Sequence, residues 1–388
     1  MRSLGSMGVT LYGVDSGRDA TAFASRYCRR KYIQGIELSD GDQLLEALLR
    51  ISDQLGRQAI LIATSDDTSL FVATYRDKLK ERFLFQNNSR ELIETLISKE
   101  GMHGLAKANG VPVPDITFPR TTEDIQAYIE TDGRFPVMLK AIDGTRLFKR
   151  TGKKMVIVTS AKDLLEAFQE LDEPGFPNLM LQEYIPGDDD QIYIFNGYFN
   201  KKSECLLGFT GHKIRQFPIH VGCASLGVST WNQEVADITT TFMRSIGYQG
   251  ILDIGYRYDA RDGSYKVLDI NPRVGQAFRM FVADNDMDVV RALYLDLGGQ
   301  ALPESKAREG RRWMIEDLDL ISSYHYYKEG TLSIGQWLRS FRGVEEAMWF
   351  SWRDPKPFLL MVGGMAGQFV RWFGKRITGV FRRSGRKT

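Results

Sequence analysis

Along the first hundred residues, short apolar runs alternate with stretches whose apolar positions recur every three or four residues. Val9-Thr-Leu-Tyr-Gly13 and Ala59-Ile-Leu-Ile-Ala63 read as strands, with a helix from Leu44 to Leu55 between them. This alternation predicts a small doubly wound α/β unit over 1–98. Its opening is unusual: Met1 to Gly8 reads as a helix end with its glycine cap, so the expected first strand and its glycine-rich loop are taken to be missing.

From about 99 the pattern changes. A helix from Lys99 to Asn109 closes at Gly110, another runs near Thr122 to Glu130, and strands follow at 136–142, 155–159, 179–185 and 191–195. Further strands near 204–209, 251–258 and 265–270 surround a helix at about 233–246, and a shorter helix fills 163–171. This predicts an α+β domain over 99–300 with a small lobe at about 112–184 and a large lobe at about 185–300. Residues 301–388 read as a helical, aromatic extension with Trp313, Trp337, Trp349, Trp352 and Trp372.

Composition narrows the classes. In 388 residues, 51 Lys and Arg face 49 Asp and Glu, so no global field recruits nucleic acid and a charged partner must meet a local patch. Cys28, Cys205 and Cys223 are far apart and show neither a disulfide framework nor zinc spacing, which points to a reducing cytoplasm. No signal peptide is read at the N-terminus, and the longest apolar run, Phe358 to Val370, falls short of the roughly 20 residues that a spanning helix needs.

Three segments carry chemistry. Val267-Leu-Asp-Ile-Asn-Pro-Arg273 sets Asp269 and Asn271 on one strand face, and a carboxylate with an amide oxygen suits Mg²⁺. Asp253, one strand earlier, is expected to face Asp269 across a hairpin turning at Asp259 to Gly263; the plain alternative is a strand end with an Asx turn. Lys140 stands inside an apolar strand, where a buried ammonium needs an anion such as phosphate. The segment after it, Asp143 to Lys154, carries two glycines and five basic residues and reads as a flexible cover over polyphosphate or as a solvated hairpin. Finally, Leu181-Gln-Glu-Tyr-Ile-Pro-Gly187 leaves its sheet at a Pro-Gly bend and enters Asp188-Asp-Asp190. Backbone groups near Glu183 and Ile185 suit a base edge there, and a later carboxylate suits ribose hydroxyls, unless the run is an acidic turn that binds nothing.

Lys213 and Arg215 share a predicted strand face suited to a carboxylate or a γ-phosphate. His212 and His220 read as surface or capping residues, and Cys223 lacks a base that would make it a nucleophile.

Lys99, Lys140, the basic glycine segment, Gln182 to Gly187 with Asp190, and Leu268 to Arg273 occur in the order and spacing of the ATP-grasp superfamily, which the chain resembles over about 1–300. Gly208 to Pro218 and Leu268 to Arg279 resemble a bacterial carboxylate-amine ligase-like branch related to D-aspartate ligase. The resemblance implies a Rossmann-like pre-ATP-grasp domain, here without its first strand, then a two-lobed ATP-grasp domain and the helical extension.

It also implies ATP between the lobes, with Lys99 and Lys140 at the phosphates and Lys154 among the nucleotide-binding residues. Gln182, Glu183, Tyr184 and Ile185 surround adenine in this reading, and Asp190 takes the ribose with Asp189 as its substitute. Asp253, Asp269 and Asn271 would hold Mg²⁺ or Mn²⁺, and Arg273, Arg215 and Lys213 would be the catalytic cations. The implied reaction activates a small-molecule carboxylate as an acyl phosphate, which an amine converts to an amide. Many members are dimers, so a homodimer is among the expected assemblies.

The chain departs from the family pattern at Gly255, where an acid or amide usually precedes the aromatic residue, and at Asp269, where many members have Glu. Two alternatives follow: a degenerate nucleotide-binding protein with a regulatory or scaffold role, and capture of the acyl phosphate by an alcohol or thiol. Beyond the resemblance, Arg371 to Thr388 holds seven Lys or Arg and no acid, with Phe369, Trp372, Phe373, Ile377, Val380 and Phe381 at helical spacing. That apolar stripe is read as docking on the protein body or partly disordered. Peripheral membrane contact through 369–388 is the alternative.

Overall fold

The computed structural model describes residues 1–33, 35 and 40–367. The expected tail at 369–388 lies outside them. A short helix, Arg2–Gly5, precedes β1 (Leu11–Asp15), which pairs in parallel with β2 (Cys28–Ile33); β3 (Ala59–Ile60) pairs in parallel with β4 (Phe83–Leu84). The helix Gly41–Leu55 starts where the Asp40 carboxylate accepts from the Gln43 N–H and stops at Gly56, whose φ of 62° suits glycine. Leu44, Leu45, Leu48 and Ile51 bury its apolar stripe.

The next sheet contains β5 (Ile116–Thr117), β6 (Val137–Ala141), β7 (Met155–Val158) and β8 (Leu179–Glu183) in the order β5-β8-β6-β7. The pleat of β6 decides what its residues do. Val137, Leu139 and Ala141 are buried with Ile125, Leu164 and Phe168 of the covering helices, while Met138 and Lys140 point the other way. The segment after β6 corrects the expected loose cover, because Gly144–Thr151 is a helix. Leu147 inserts into the lobe's core, and Arg146 bonds Glu173 at 3.0 Å and lies 3.6 Å over the Phe176 ring, so this cation is engaged by its own lobe.

The large sheet has seven strands: β9 (Ile192–Phe199), β10 (Cys205–Phe217), β11 (Cys223–Ser229), β12 (Gly250–Asp259), β13 (Ser264–Asn271), β14 (Arg312–Met314) and β15 (Val344–Ala347). Their order is β13-β12-β9-β10-β11-β14-β15. The C-terminal extension is therefore not purely helical. It adds β14 antiparallel to β11 and β15 parallel to β14, so backbone hydrogen bonds fuse it to the large lobe. Arg2 also binds the buried Asp354 carboxylate at 3.1 Å and the Met348 carbonyl at 2.9 Å, joining the first helix to the extension.

Candidate active site

A cleft of about 1170 Å³ is lined by residues of the four-stranded and the seven-stranded sheets. Met138, Met155 and Ile157 form one apolar wall and Ile185, Ile192 and Leu268 another, a slot suited to a flat base. At its rim β8 ends with Glu183, and the buried Arg257 of β12 holds the segment that follows. Its guanidinium donates to the carbonyls of Ile185 at 3.3 Å, Gly187 at 2.5 Å and Asp188 at 2.7 Å. The Glu183 carboxylate is itself engaged, by Lys266 at 3.2 Å, by Arg261 and by the Asp115 N–H at 3.2 Å. Asp189 is held by the Tyr326 hydroxyl and lies 3.1 Å from His220 Nδ1, whereas Asp190 meets its neighbour Gln191 at 3.2 Å. Of the two ribose candidates, Asp190 is the one not tied to the extension.

Lys140 and Lys213 mark the charged end of the cleft. Burial, reinforced by the nearby Lys99 ammonium, pushes the Lys140 pKa down to about 8, with Asp269 opposing. Burial also lowers Lys213, whose Nζ donates to the Gly222 carbonyl at 2.8 Å and to Gln216 Oε1 at 3.2 Å. Lys99, at the start of the helix Lys99–Ala108, pairs with Asp269. Three ammoniums thus crowd one end of the cleft at a mutual cost that an anion would relieve.

The sheet register places the acidic groups. Asp253 lies opposite Asn271, not Asp269 as expected, and Asp269 lies opposite Gly255, because the pairing runs in step until a bulge beyond Gly255. One strand further, Asn196 of β9 lies opposite Asp253. Asn271 Nδ2 donates to Asp269 Oδ2 at 3.2 Å and to Asp253 Oδ2 at 3.4 Å, while its Oδ1 accepts from Arg273 at 2.9 Å. Arg273 also reaches Asp66 of the N-terminal unit at 2.8 Å. Burial raises the Asp253 pKa to about 6, although Arg273 pulls it down. Desolvation pushes Asp269 up as well, but the Lys99 and Lys140 ammoniums and the Asn271 amide together outweigh it and leave that carboxyl below its ordinary value.

This donor set fits Mg²⁺. Two carboxylates and the Asn271 amide are hard oxygen donors; the buried Asn196 turns its Nδ2 to Asp253 Oδ1 at 3.5 Å and leaves its Oδ1 with no partner among the described residues. No group of three or more His, Cys, Asp or Glu that could hold a metal ion gathers among the described residues. Coordination through Asn271 Oδ1 requires its amide to turn from the orientation seen here.

No family model matches the chain. Over 294 residues it is 24% identical to D-aspartate ligase of Enterococcus faecium, spanning 71% of this chain and 70% of that protein. The biotin carboxylase domain of Hydrogenobacter thermophilus 2-oxoglutarate carboxylase, solved with MgADP, ADP and bicarbonate, superposes with a TM-score of 0.59 at 16% identity, covering 80% of this chain and 69% of that one. L-amino acid ligase from Bacillus licheniformis gives a TM-score of 0.54 at 14% identity, over 72% and 64% of the respective chains. The chain has the ATP-grasp fold.

In this ATP-grasp chain Lys140, Gln182, Glu183, Tyr184, Ile185, Asp190, Lys213 and Arg215 line the cleft. Lys99 and Asp269 adjoin Lys140, Asp253 adjoins Lys213, and Asn271 and Arg273 bond into the same acidic row. Lys154 is exposed, with its ammonium 6.0 Å from the Phe148 ring centre, and its charge acts on the Cys223 thiol that also adjoins Lys213. Arg215 corrects its expected role, because its Nε and Nη2 donate to Asp319 Oδ1 and Oδ2 at 2.8 Å each in the interior, so its charge is already neutralised. Sequence reasoning missed Arg257, Asn196 and Tyr326. Arg257 was hidden inside an apolar strand in the way Lys140 was, and the same question about a buried cation would have found it.

Proposed function

We propose that this protein is an ATP-dependent ligase that activates a small-molecule carboxylate as an acyl phosphate and joins it to an amine. The observation that carries this is the convergence of Lys99, Lys140 and Lys213 on a cleft end that also holds Asp253, Asp269 and Asn271. The likeness to D-aspartate ligase supports an amide as the product.

In this reading a substrate carboxylate oxygen attacks the γ-phosphorus of ATP, the bond to the β–γ bridging oxygen breaks, and ADP leaves. The amine nitrogen then attacks the acyl carbon, phosphate departs and the nitrogen loses a proton. Lys140 and Lys213 hold the two anions together against their repulsion, and Arg273, fixed by Asp66 and Asn271, stabilises charge on the transferred group. Mg²⁺ held by Asp253, Asp269 and Asn271 would supply neutralisation of the polyphosphate.

The test is ADP release with pooled amino acids, with and without pooled amines, comparing wild type with Lys140→Ala and Asp269→Ala. Release that needs both pools and is lost in both variants supports the ligase. Gly255, opposite Asp269 where the family usually carries a ligand, favours one other reading: a nucleotide-binding protein without turnover. ATP that binds and protects against unfolding, with no ADP released, would favour that reading.

A further inference from the structure

Among the described residues, every large apolar side chain that is more than half exposed lies between 320 and 360. Trp352 is 87% exposed, Leu359 63% and Leu360 54%. The Phe350 ring lies 4.8 Å from Trp352 and 5.3 Å from Phe358, and residues 356–367 form a helix. Asp354 is the last acid in the chain. From Pro355 to Thr388 there are eight Lys or Arg and no Asp or Glu, whereas the preceding 354 residues hold 43 basic and 49 acidic residues. The basic side chains alternate with Phe369, Trp372, Phe373, Ile377 and Phe381.

Apolar side chains left in water beside a segment of one charge sign describe a surface that needs a partner both greasy and anionic. A net-acidic body is repelled by such a partner, and this segment is drawn to it. No described helix is long and apolar enough to cross a membrane, so the contact is peripheral. We propose that residues 352–388 dock this protein on the surface of an anionic lipid bilayer, with Trp352, Leu359 and Leu360 entering the interface and the basic residues meeting the headgroups.

The experiment is co-sedimentation of the full chain with vesicles of phosphatidylcholine containing about 30% phosphatidylglycerol, against phosphatidylcholine alone. Binding to the anionic vesicles is expected to exceed binding to the neutral ones at least about tenfold and to fall about tenfold in high salt. Deleting 368–388 should abolish it. The double variant Leu359→Glu/Leu360→Glu, with every basic residue kept, should weaken it about fivefold. Circular dichroism and solution ADP release check that each variant is folded, and replacing Arg382, Arg383, Arg386 and Lys387 by Ser provides a second route. Equal binding to both vesicle types, binding that survives the deletion, or an unchanged double variant overturns the proposal. So does a vesicle-independent loss of thermal stability on deletion, which would show the tail docked on the body, or binding to single-stranded RNA with none to vesicles.

Discussion

Arg215 and Asp319 face each other inside the protein through two parallel hydrogen bonds of 2.8 Å, a geometry in which guanidinium and carboxylate are fully matched. Arg215 also donates to Ser340 Oγ at 2.9 Å. The pair ties β10, a wall of the cleft, to the helix Glu316–Lys328, whose Tyr326 lines the same cleft. The extension is thus part of the site's wall.

Removing either partner leaves an unpaired buried charge. Arg215→Ala or Asp319→Ala should each cost about 3–5 kcal/mol of stability, and Arg215→Met/Asp319→Leu should recover a large part of it, measured by denaturant unfolding. A stable, folded Arg215→Ala protein that binds ATP and does not turn over would instead restore Arg215 to the chemistry.

How much of this was legible in the sequence depends on the range of the interaction. The pleat that turns Lys140 into the cleft and the helix of Gly41–Leu55 follow from periods of two and of three to four, which a chain displays locally. The pairing of Asp253 with Asn271 was not legible, since register depends on a bulge and not on composition. Nor was the partner of Arg215, which lies 104 residues away, or the two short strands β14 and β15, which gain their hydrogen bonds only from a sheet assembled by distant sequence.

Lys140 sets a pH dependence. Its pKa of about 8 lies below the ordinary 10.5, so in the ligand-free protein it loses its proton as pH rises through 8, while bound polyphosphate favours the charged form. ATP affinity should therefore fall above pH 8, measured by calorimetry, and Lys140→Gln should remove this fall while weakening binding at pH 7 about tenfold or more. The stability of the ligand-free protein should move oppositely. The unfolded chain keeps the proton up to about 10.5, so this group makes folding more favourable as pH climbs from 8 to 10.5.

Arg257 fixes the backbone of residues 185–188 at the cleft rim, the segment that meets the nucleotide in the proposed function, and is a positioning residue there. With three carbonyls held by one guanidinium, Arg257→Lys loses the fork geometry and keeps the charge. The KM for ATP should rise about tenfold with kcat within about twofold, because the interaction is equal in ground and transition states. A fall in kcat at unchanged KM would contradict this positioning role.

Two glycines in the acidic row should respond in opposite ways. A Cβ on Gly275 would sit 2.4 Å from Asp253 Cγ, a distance that nothing but displacement of that carboxylate relieves. Gly275→Ala should therefore weaken Mn²⁺ binding, read by electron paramagnetic resonance, and lower stability by about 1–3 kcal/mol. A Cβ on Gly255 meets nothing within 4 Å, and the residue lies directly opposite Asp269. Gly255→Ala should leave the fold intact or stabilise it by about 0.4–1 kcal/mol through the unfolded chain. Gly255→Asp sets a third carboxylate beside Asp253 and Asp269, which repel it until a cation is bound. Mn²⁺ affinity should rise several-fold or more while stability without metal falls. If affinity does not rise, the ion's place is not in the space above Gly255, and the Asn196 Oδ1 beside Asp253 becomes the ligand to test next by Asn196→Ala.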